Sequence, residues 1–315
     1  MSCKENLPLS ELREKILKLK KEKNALIMAH YYQREEIQEI ADFIGDSLAL
    51  ARQASKTDAD IIVMCGVHFM GETAKILCPD KKVVIPDMNA GCSLADSCDP
   101  MEFAEFVAQH PDYTVISYVN TSAAVKAHTD IVVTSGNARK IVEQLPEDEK
   151  IIFGPDKNLG EYINSVTGRN MLLWNGACHV HDRFSLEKII ELKKEHPGAK
   201  ILVHPECKRH LQMIADKVGS TAALLEYAST DSAREYIVVT ESGILFEMRK
   251  KCPEKTFIAA PAEDAECQCN ECDYMKMNTL QKVYECLRDE KPEIVVDKEI
   301  AGKALRPIER MLAMS

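Results

Sequence analysis

At 315 residues the chain is long enough for one large domain or two to three smaller ones, and 45% apolar content suffices to build buried cores. Aromatic content is low at 6%, Trp174 is the single tryptophan, and the net charge of −10 argues against an unassisted nucleic-acid or anionic-membrane surface while leaving small anionic substrates open. No run of about 18 apolar residues is present, and the N-terminus leads into a charged helix rather than an apolar signal core; a cytoplasmic protein with no membrane partner is expected.

Residues 8–20 predict an amphipathic helix with Ser10 as N-cap and Leu12, Ile16 and Leu19 on one stripe. Residues 25–30 read as a buried strand. A helical pattern follows, then a strand at 60–64, a helix near 72–77, a strand at 82–86 and a turn to Cys92. The order recurs with strands at 113–118, 130–134, 150–153 and 170–174 leading to Cys178. It recurs again with strands at 200–204, 236–240 and 256–260 leading to Cys267, Cys269 and Cys272. A helix-like pattern at 275–287, an extended stretch from Ile294 and a helix at 301–314 close the chain. Short apolar strands alternating with helices predict α/β units with parallel sheets covered on both faces.

The order repeats in register. His30, Tyr118 and His204 each end the first strand of a unit, spaced by 88 and 86 residues. Two residues later stand Tyr32, Asn120 and Glu206, on the same strand face if the extended conformation persists. Seventeen residues after each leader is a hydroxyl: Ser47, Ser135 and Thr221. Each adjoins or nearly adjoins a glycine and opens a helical pattern, so each reads either as an N-cap or as a donor to a ligand at a helix N-terminus. The closing cysteines Cys92, Cys178 and Cys272 follow their leaders by 62, 60 and 68 residues. The expected organisation is an N-terminal helix (1–20), three α/β repeats (21–108, 109–195 and 196–290) and a C-terminal tail with a helix (291–315).

Twelve cysteines is a high count for a chain of this kind. Cys65, Cys207 and Cys286 have apolar or helical neighbours and read as buried thiols. Cys92 and Cys178 stand beside Gly and Ala turns, Ala90-Gly91-Cys92 and Gly176-Ala177-Cys178, where glycine allows backbone to approach a bulky ligand. The trio Cys267, Cys269 and Cys272 taken alone reads as a zinc knuckle, a disulfide or a redox pair. Three repeat-matched thiolates converging on one point suit a Cys₃ zinc site, or an iron–sulfur cluster with one iron open to substrate. Such an iron is a Lewis acid suited to assisting loss of water.

The motifs His30-Tyr-Tyr, Asn89-Ala-Gly-Cys-Ser-Leu-Ala-Asp, Tyr118-Val-Asn, Gly176-Ala-Cys-His-Val-His, His204-Pro-Glu-Cys and Cys272-Asp-Tyr-Met-Lys-Met-Asn run in this order along almost the whole chain. Together they resemble the quinolinate synthase family. The resemblance implies an α/β fold of three pseudo-threefold-related α/β/α units with short parallel sheets around a central [4Fe-4S] cluster, one per chain. It implies condensation of iminosuccinate (iminoaspartate) with dihydroxyacetone phosphate to quinolinate, phosphate and water, in de novo NAD biosynthesis. L-aspartate oxidase, which supplies the imine, is the implied functional partner.

By the same resemblance Cys92, Cys178 and Cys272 are the cluster ligands. His30, Ser47, Tyr118, Asn120, Ser135, His204, Glu206 and Thr221 match substrate-contacting positions, and Tyr32 matches a tyrosine implicated in catalysis. Glu206 is expected to shuttle protons, with its pKa raised if buried. Tyr32 and His30 are expected to handle proton transfer, and Tyr118 and His204 to orient substrate. His179 and His181 read equally as supports of the Cys178 site or as packing residues. The spacing Cys-x-Cys-x-x-Cys departs from the Cys-x-x-Cys-x-x-Cys of some relatives, so Cys267 and Cys269 take no assigned role. Two rival functions are an iron–sulfur hydro-lyase acting on a single hydroxy acid and a non-enzymatic zinc or cluster carrier.

Overall fold

The computed structural model describes residues 8–263 and 270–315, so Cys267 and Cys269 lie outside the described residues. The chain forms two compact units: one runs to Cys92 and takes in Asp273–Asp297, and the other comprises Ser93–Cys272 and Lys298–Ser315.

The first unit holds one parallel sheet of β1 (Ala25–His30), β2 (Phe43–Gly45), β3 (Ile61–Cys65) and β4 (Lys82–Val84), in the order β2-β1-β3-β4. β3 is buried along its whole length, as a strand covered on both faces must be. The helix Leu9–Glu22 lays Leu12 and Ile16 on Ile27 and Val63, together with Val283 and Leu287 of the helix Leu280–Asp289. Its N-cap is Pro8, and Ser10 is already helical; the expected Ser10 cap is not formed. The pattern at 275–287 splits into helices Asp273–Lys276 and Leu280–Asp289, because the buried Asn278 turns its amide onto the Gly66 carbonyl and Thr279 caps a new helix. The stretch around Ile294 runs antiparallel beside β4, with Ile294 N–H on the Val83 carbonyl at 2.8 Å.

The second unit holds two more four-stranded parallel sheets. One has β5 (Thr114–Tyr118), β6 (Ile131–Val133), β7 (Ile151–Gly154) and β8 (Leu172–Leu173), in the order β6-β5-β7-β8. The other has β9 (Lys200–Val203), β10 (Lys217–Val218), β11 (Glu235–Val239) and β12 (Thr256–Ala259), in the order β10-β9-β11-β12. Cores form around Phe103, Val115 and Ile152 in the former and Phe184, Ile201 and Ile237 in the latter. The helix Lys298–Met314 closes on β6, burying Ala304, Ile308 and Met311.

The three sheets share one strand order, and the likeness reaches single hydrogen bonds. Asp42, Asp130 and Asp216 each stand twelve residues after the strand-end residue. Their Oδ2 atoms accept the N–H of Ile27, Val115 and Ile201 at 2.9, 2.9 and 2.8 Å. Their own N–H groups donate to the carbonyls of the same three residues, each at 2.9 Å. A buried strand amide is thereby satisfied by one carboxylate, three times over. The edge strands β2 and β10 go unread in the sequence, since two or three residues carry no periodicity.

Candidate active site and metal centre

His30 and Tyr118 are the last residues of β1 and β5, and His204 directly follows β9, so all three occupy the carboxyl ends of inner strands. All three are buried. His30 Nδ1 accepts the N–H of Tyr32 at 3.2 Å, and His204 Nδ1 accepts the N–H of Glu206 at 3.4 Å. An accepting Nδ1 leaves the hydrogen of a neutral imidazole on Nε2, so both rings present an N–H donor beyond the strand end.

The repeat-matched hydroxyls are not the helix caps. Asp46 caps the helix Ser47–Ala54 by accepting Ala49 N–H at 3.0 Å, and Ser220 caps Thr221–Thr230 by accepting Ala223 N–H at 3.3 Å. In the same place of the middle repeat Thr134 Oγ1 accepts Gly136 N–H at 3.3 Å. Ser47 and Thr221 are therefore first helical residues, and Ser135 lies in the turn before Ala138–Glu143. Capping falls to their neighbours, which removes the simplest structural reason for these hydroxyls. A Cβ on Gly136 would meet Ser220 Oγ at 3.3 Å, so the turn carrying Ser135 lies against the N-terminus of the Thr221 helix.

In the second unit the side chains converge on Glu206, which is 2% exposed. The Tyr118 hydroxyl donates to its Oε1, and His181 Nδ1 lies 2.8 Å from its Oε2. The same Nδ1 is 3.3 Å from Cys178 Sγ, while His181 Nε2 is 2.9 Å from Thr240 Oγ1. The His181 ring stacks on His204, with centroids 4.5 Å apart. With Glu206 ionised and Cys178 a thiolate, both partners of Nδ1 are acceptors, so Nδ1 carries the proton. Burial alone would push the Glu206 carboxyl up, but the charge and hydrogen bond of His181, the His204 ring and the Tyr118 hydroxyl outweigh it and hold the group below the usual carboxylate range. The expected upward shift of Glu206 is thus reversed by its partners. The raised carboxyl here belongs to Asp156, pushed up by burial and by the Glu206 charge.

Asp156 has a second task. Its Oδ1 caps the helix Lys157–Thr167 through Leu159 N–H at 2.8 Å, and its Oδ2 accepts the N–H of Cys178 at 3.1 Å. In the third sheet Glu241 does likewise: Oε2 accepts Gly243 N–H at 2.7 Å and Oε1 accepts Cys272 N–H at 3.2 Å. Both carboxylates are fully buried. Two of the expected ligand cysteines are thus held at the backbone by repeat-matched acidic residues.

The cysteines divide by exposure. Among the described residues Cys92, Cys178 and Cys272 are half-buried, whereas Cys65, Cys78, Cys98, Cys207, Cys252 and Cys286 are buried. Burial pushes the thiols of Cys65, Cys78, Cys98, Cys207 and Cys286 up, away from the thiolate a metal requires. The three accessible sulfurs are the three that close the repeats, a donor set that fits a thiolate-held iron group with three protein ligands. Cys178, His181 and Glu206 also place one ligand atom each within 4.8 Å of one another, a donor set for a single divalent ion.

Of the expected site residues, His30, Tyr32, Ser47 and Cys92 lie in the first unit and the others in the second. In the first, the His30 and Tyr32 rings meet edge to face at 4.5 Å, and Lys276 Nζ donates to the Tyr32 carbonyl at 2.8 Å. In the second, Tyr118, His204, Glu206 and Cys178 share the network built on His181. Among the described residues Asn120 Oδ1 is buried without a hydrogen-bond partner. In the sequence His181 reads equally as a support of the Cys178 site or as a packing residue, and Asp156 and Glu241 carry no signal there because a lone acidic residue after a strand has many ordinary uses.

The family described as NadA, quinolinate synthetase A protein, matches residues 14–313. A quinolinate synthase of Chloroherpeton thalassium is 55% identical over 310 residues, covering 98% of this chain and 96% of that protein. One of Microcystis aeruginosa is 58% identical over 300 residues, covering 95% and 94%, and one of a Synechocystis species is 55% identical over 311 residues, covering 99% and 97%.

Proposed function

The chain belongs to the quinolinate synthetase A protein family, and from that premise we propose that it condenses iminosuccinate with dihydroxyacetone phosphate to form quinolinate, phosphate and water in NAD biosynthesis. It is an enzyme of that family. In this reading Cys92, Cys178 and Cys272 hold one [4Fe-4S] cluster per chain. The observation that carries it is the unbroken line from the Tyr118 hydroxyl through Glu206 and His181 to Cys178 Sγ.

Cys92, Cys178 and Cys272 would hold the cluster, which would supply Lewis-acid chemistry to assist loss of water. The rest of the chemistry falls to side chains. Glu206, kept ionised by its partners, takes a proton from substrate carbon or nitrogen at Oε1 or Oε2. Tyr118 orients that carboxylate and contacts substrate through its hydroxyl oxygen. His30 and His204 donate from Nε2 to substrate oxygens, and Tyr32 passes protons beside His30 during isomerisation and ring closure. Ser47 and Thr221 at the first residues of their helices, and Ser135 in the turn before Ala138–Glu143, hold carboxylate or phosphate oxygens where the positive ends of helices favour anions. L-aspartate oxidase supplies the unstable imine. No described helix is long and apolar enough to cross a membrane, in keeping with a cytoplasmic site of action.

The test is an anaerobic assay with enzymatically generated iminosuccinate and dihydroxyacetone phosphate. Quinolinate that requires both substrates supports the reading. A loaded protein that dehydrates a single hydroxy acid and ignores dihydroxyacetone phosphate would make it a hydro-lyase instead. Bound zinc, with no activity after iron reconstitution, would make it a carrier or structural-metal protein.

A further inference from the structure

Eight residues after each strand-end position stands a long polar side chain: Gln38 after His30, Lys126 after Tyr118 and Gln212 after His204. Each sits on the short helix that follows the strand, Glu35–Gln38, Ala123–Lys126 or Arg209–Met213. Each donates to the same two peptide carbonyls, one and three residues beyond the strand end. Gln38 Nε2 reaches the carbonyls of Tyr31 and Gln33 at 3.0 and 2.9 Å. Gln212 Nε2 reaches those of Pro205 and Cys207 at 2.9 and 2.7 Å. Lys126 Nζ reaches those of Val119 and Thr121 at 2.8 and 2.5 Å. Between the clamped carbonyls lies Tyr32, Glu206 or Asn120, the very residues expected to meet substrate.

The middle repeat differs in two linked ways. A trans peptide sets its C=O and N–H in opposite directions, so a first carbonyl turned toward the clamp turns the next N–H away from it. In the first and third repeats that N–H is absorbed by the imidazole Nδ1 of His30 or His204. Tyr118 has no ring nitrogen, and among the described residues Asn120 N–H donates to no acceptor. The clamp behind it is also the one cationic member of the three, and Lys126 is fully buried. An N–H donor lacking a protein acceptor, backed by a buried cation, is suited to an oxyanion.

We propose that Lys126 is the positioning residue of the middle repeat: it fixes the Tyr118–Thr121 loop as glutamine does in the other two, and its charge draws an oxyanion group of the substrate to the Asn120 N–H. The identity of that anion rests on the proposed reaction. It is either the phosphate of dihydroxyacetone phosphate or a carboxylate of iminosuccinate.

Lys126→Gln installs the amide that the other repeats already use, keeping the clamp and removing the charge; Lys126→Met removes both. Lys126→Gln is expected to retain the wild-type melting temperature, iron content and kcat, with KM for the anionic substrate raised roughly tenfold. Lys126→Met is expected to lose melting temperature as well. Inhibition constants for inorganic phosphate and for succinate identify the source, since only the one sharing the Lys126-dependent subsite weakens in Lys126→Gln. Unchanged KM with both inhibition constants unchanged would overturn the charge role. Failure of Lys126→Gln to fold would overturn the equivalence of the three clamps. If the wild type makes no quinolinate, the proposed reaction fails, and calorimetric binding of phosphate and succinate to wild type and Lys126→Gln still decides the role of Lys126. Equal binding to both proteins, or none to either, overturns it.

Discussion

The Tyr118 hydroxyl donates to Glu206 Oε1, joining the end of β5 to the loop after β9 across 88 residues of sequence. Glu206 is tied elsewhere as well. The Glu206 carbonyl accepts Asn158 Nδ2 at 3.1 Å, and its Oε2 meets His181. The carboxylate is thus fixed in orientation and charge before any substrate arrives.

Glu206→Gln keeps the shape and removes the base. Turnover is expected to fall by roughly a hundredfold or more, the usual worth of a positioned proton acceptor. Iron per chain and the visible spectrum should stay as in wild type. Undiminished turnover would remove Glu206 from the proton chemistry.

His181→Phe preserves a ring to stack on His204 but deletes both nitrogens. Glu206 then loses its contact with His181 Nδ1, and Cys178 loses a hydrogen bond to sulfur. The single variant should lose turnover, and the double variant with Glu206→Gln should lose little more than either alone, because the residues act as one unit. Additive losses in kcat would show that they act separately.

Much of this was legible from sequence, for identifiable reasons. The leaders His30, Tyr118 and His204 stood out because apolar runs that end in a polar residue mark the exit of a buried strand. Cys92 and Cys178 stood out because their Gly and Ala turns broke the pattern of apolar-embedded thiols. Other parts stayed hidden where one residue type has several ordinary fates. Ser47 and Thr221 looked like caps because the true caps, Asp46 and Ser220, sit one position earlier in the same polar cluster. A buried Glu206 would be expected to have a raised pKa, but the sign depends on its partners, His181 first among them, whose approach only the folded chain reveals. Gln38, Lys126 and Gln212 differ in type, so their shared task shows only in the hydrogen bonds.

Acid sensitivity has a specific contributor in the first unit. Hydrogen bonds from Lys23 at 2.6 Å and Lys82 at 2.5 Å lower the Glu290 carboxyl from 4.5 to about 2. A depressed carboxyl stabilises the fold above its unfolded pKa, and that contribution fades as pH falls toward the folded value. Partial exposure of the group limits the effect to about 1 kcal/mol or less. Glu290→Gln should therefore show a lower urea midpoint than wild type at pH 7. The gap should narrow below about 4.5 and close near 2. A gap that persists unchanged into acid would assign the loss to packing rather than charge.

The most direct measurement of the central claim is iron and acid-labile sulfide per chain after anaerobic reconstitution, in wild type and in Cys92→Ser, Cys178→Ser, Cys272→Ser, Cys98→Ser and Cys286→Ser. Three accessible thiolates holding one [4Fe-4S] cluster predict about four irons in wild type and in the Cys98 and Cys286 variants, with loss of stable cluster in each of the other three. Full iron in any of the Cys92, Cys178 or Cys272 variants, or a single zinc retained through Cys178, His181 and Glu206 in its place, would contradict the account.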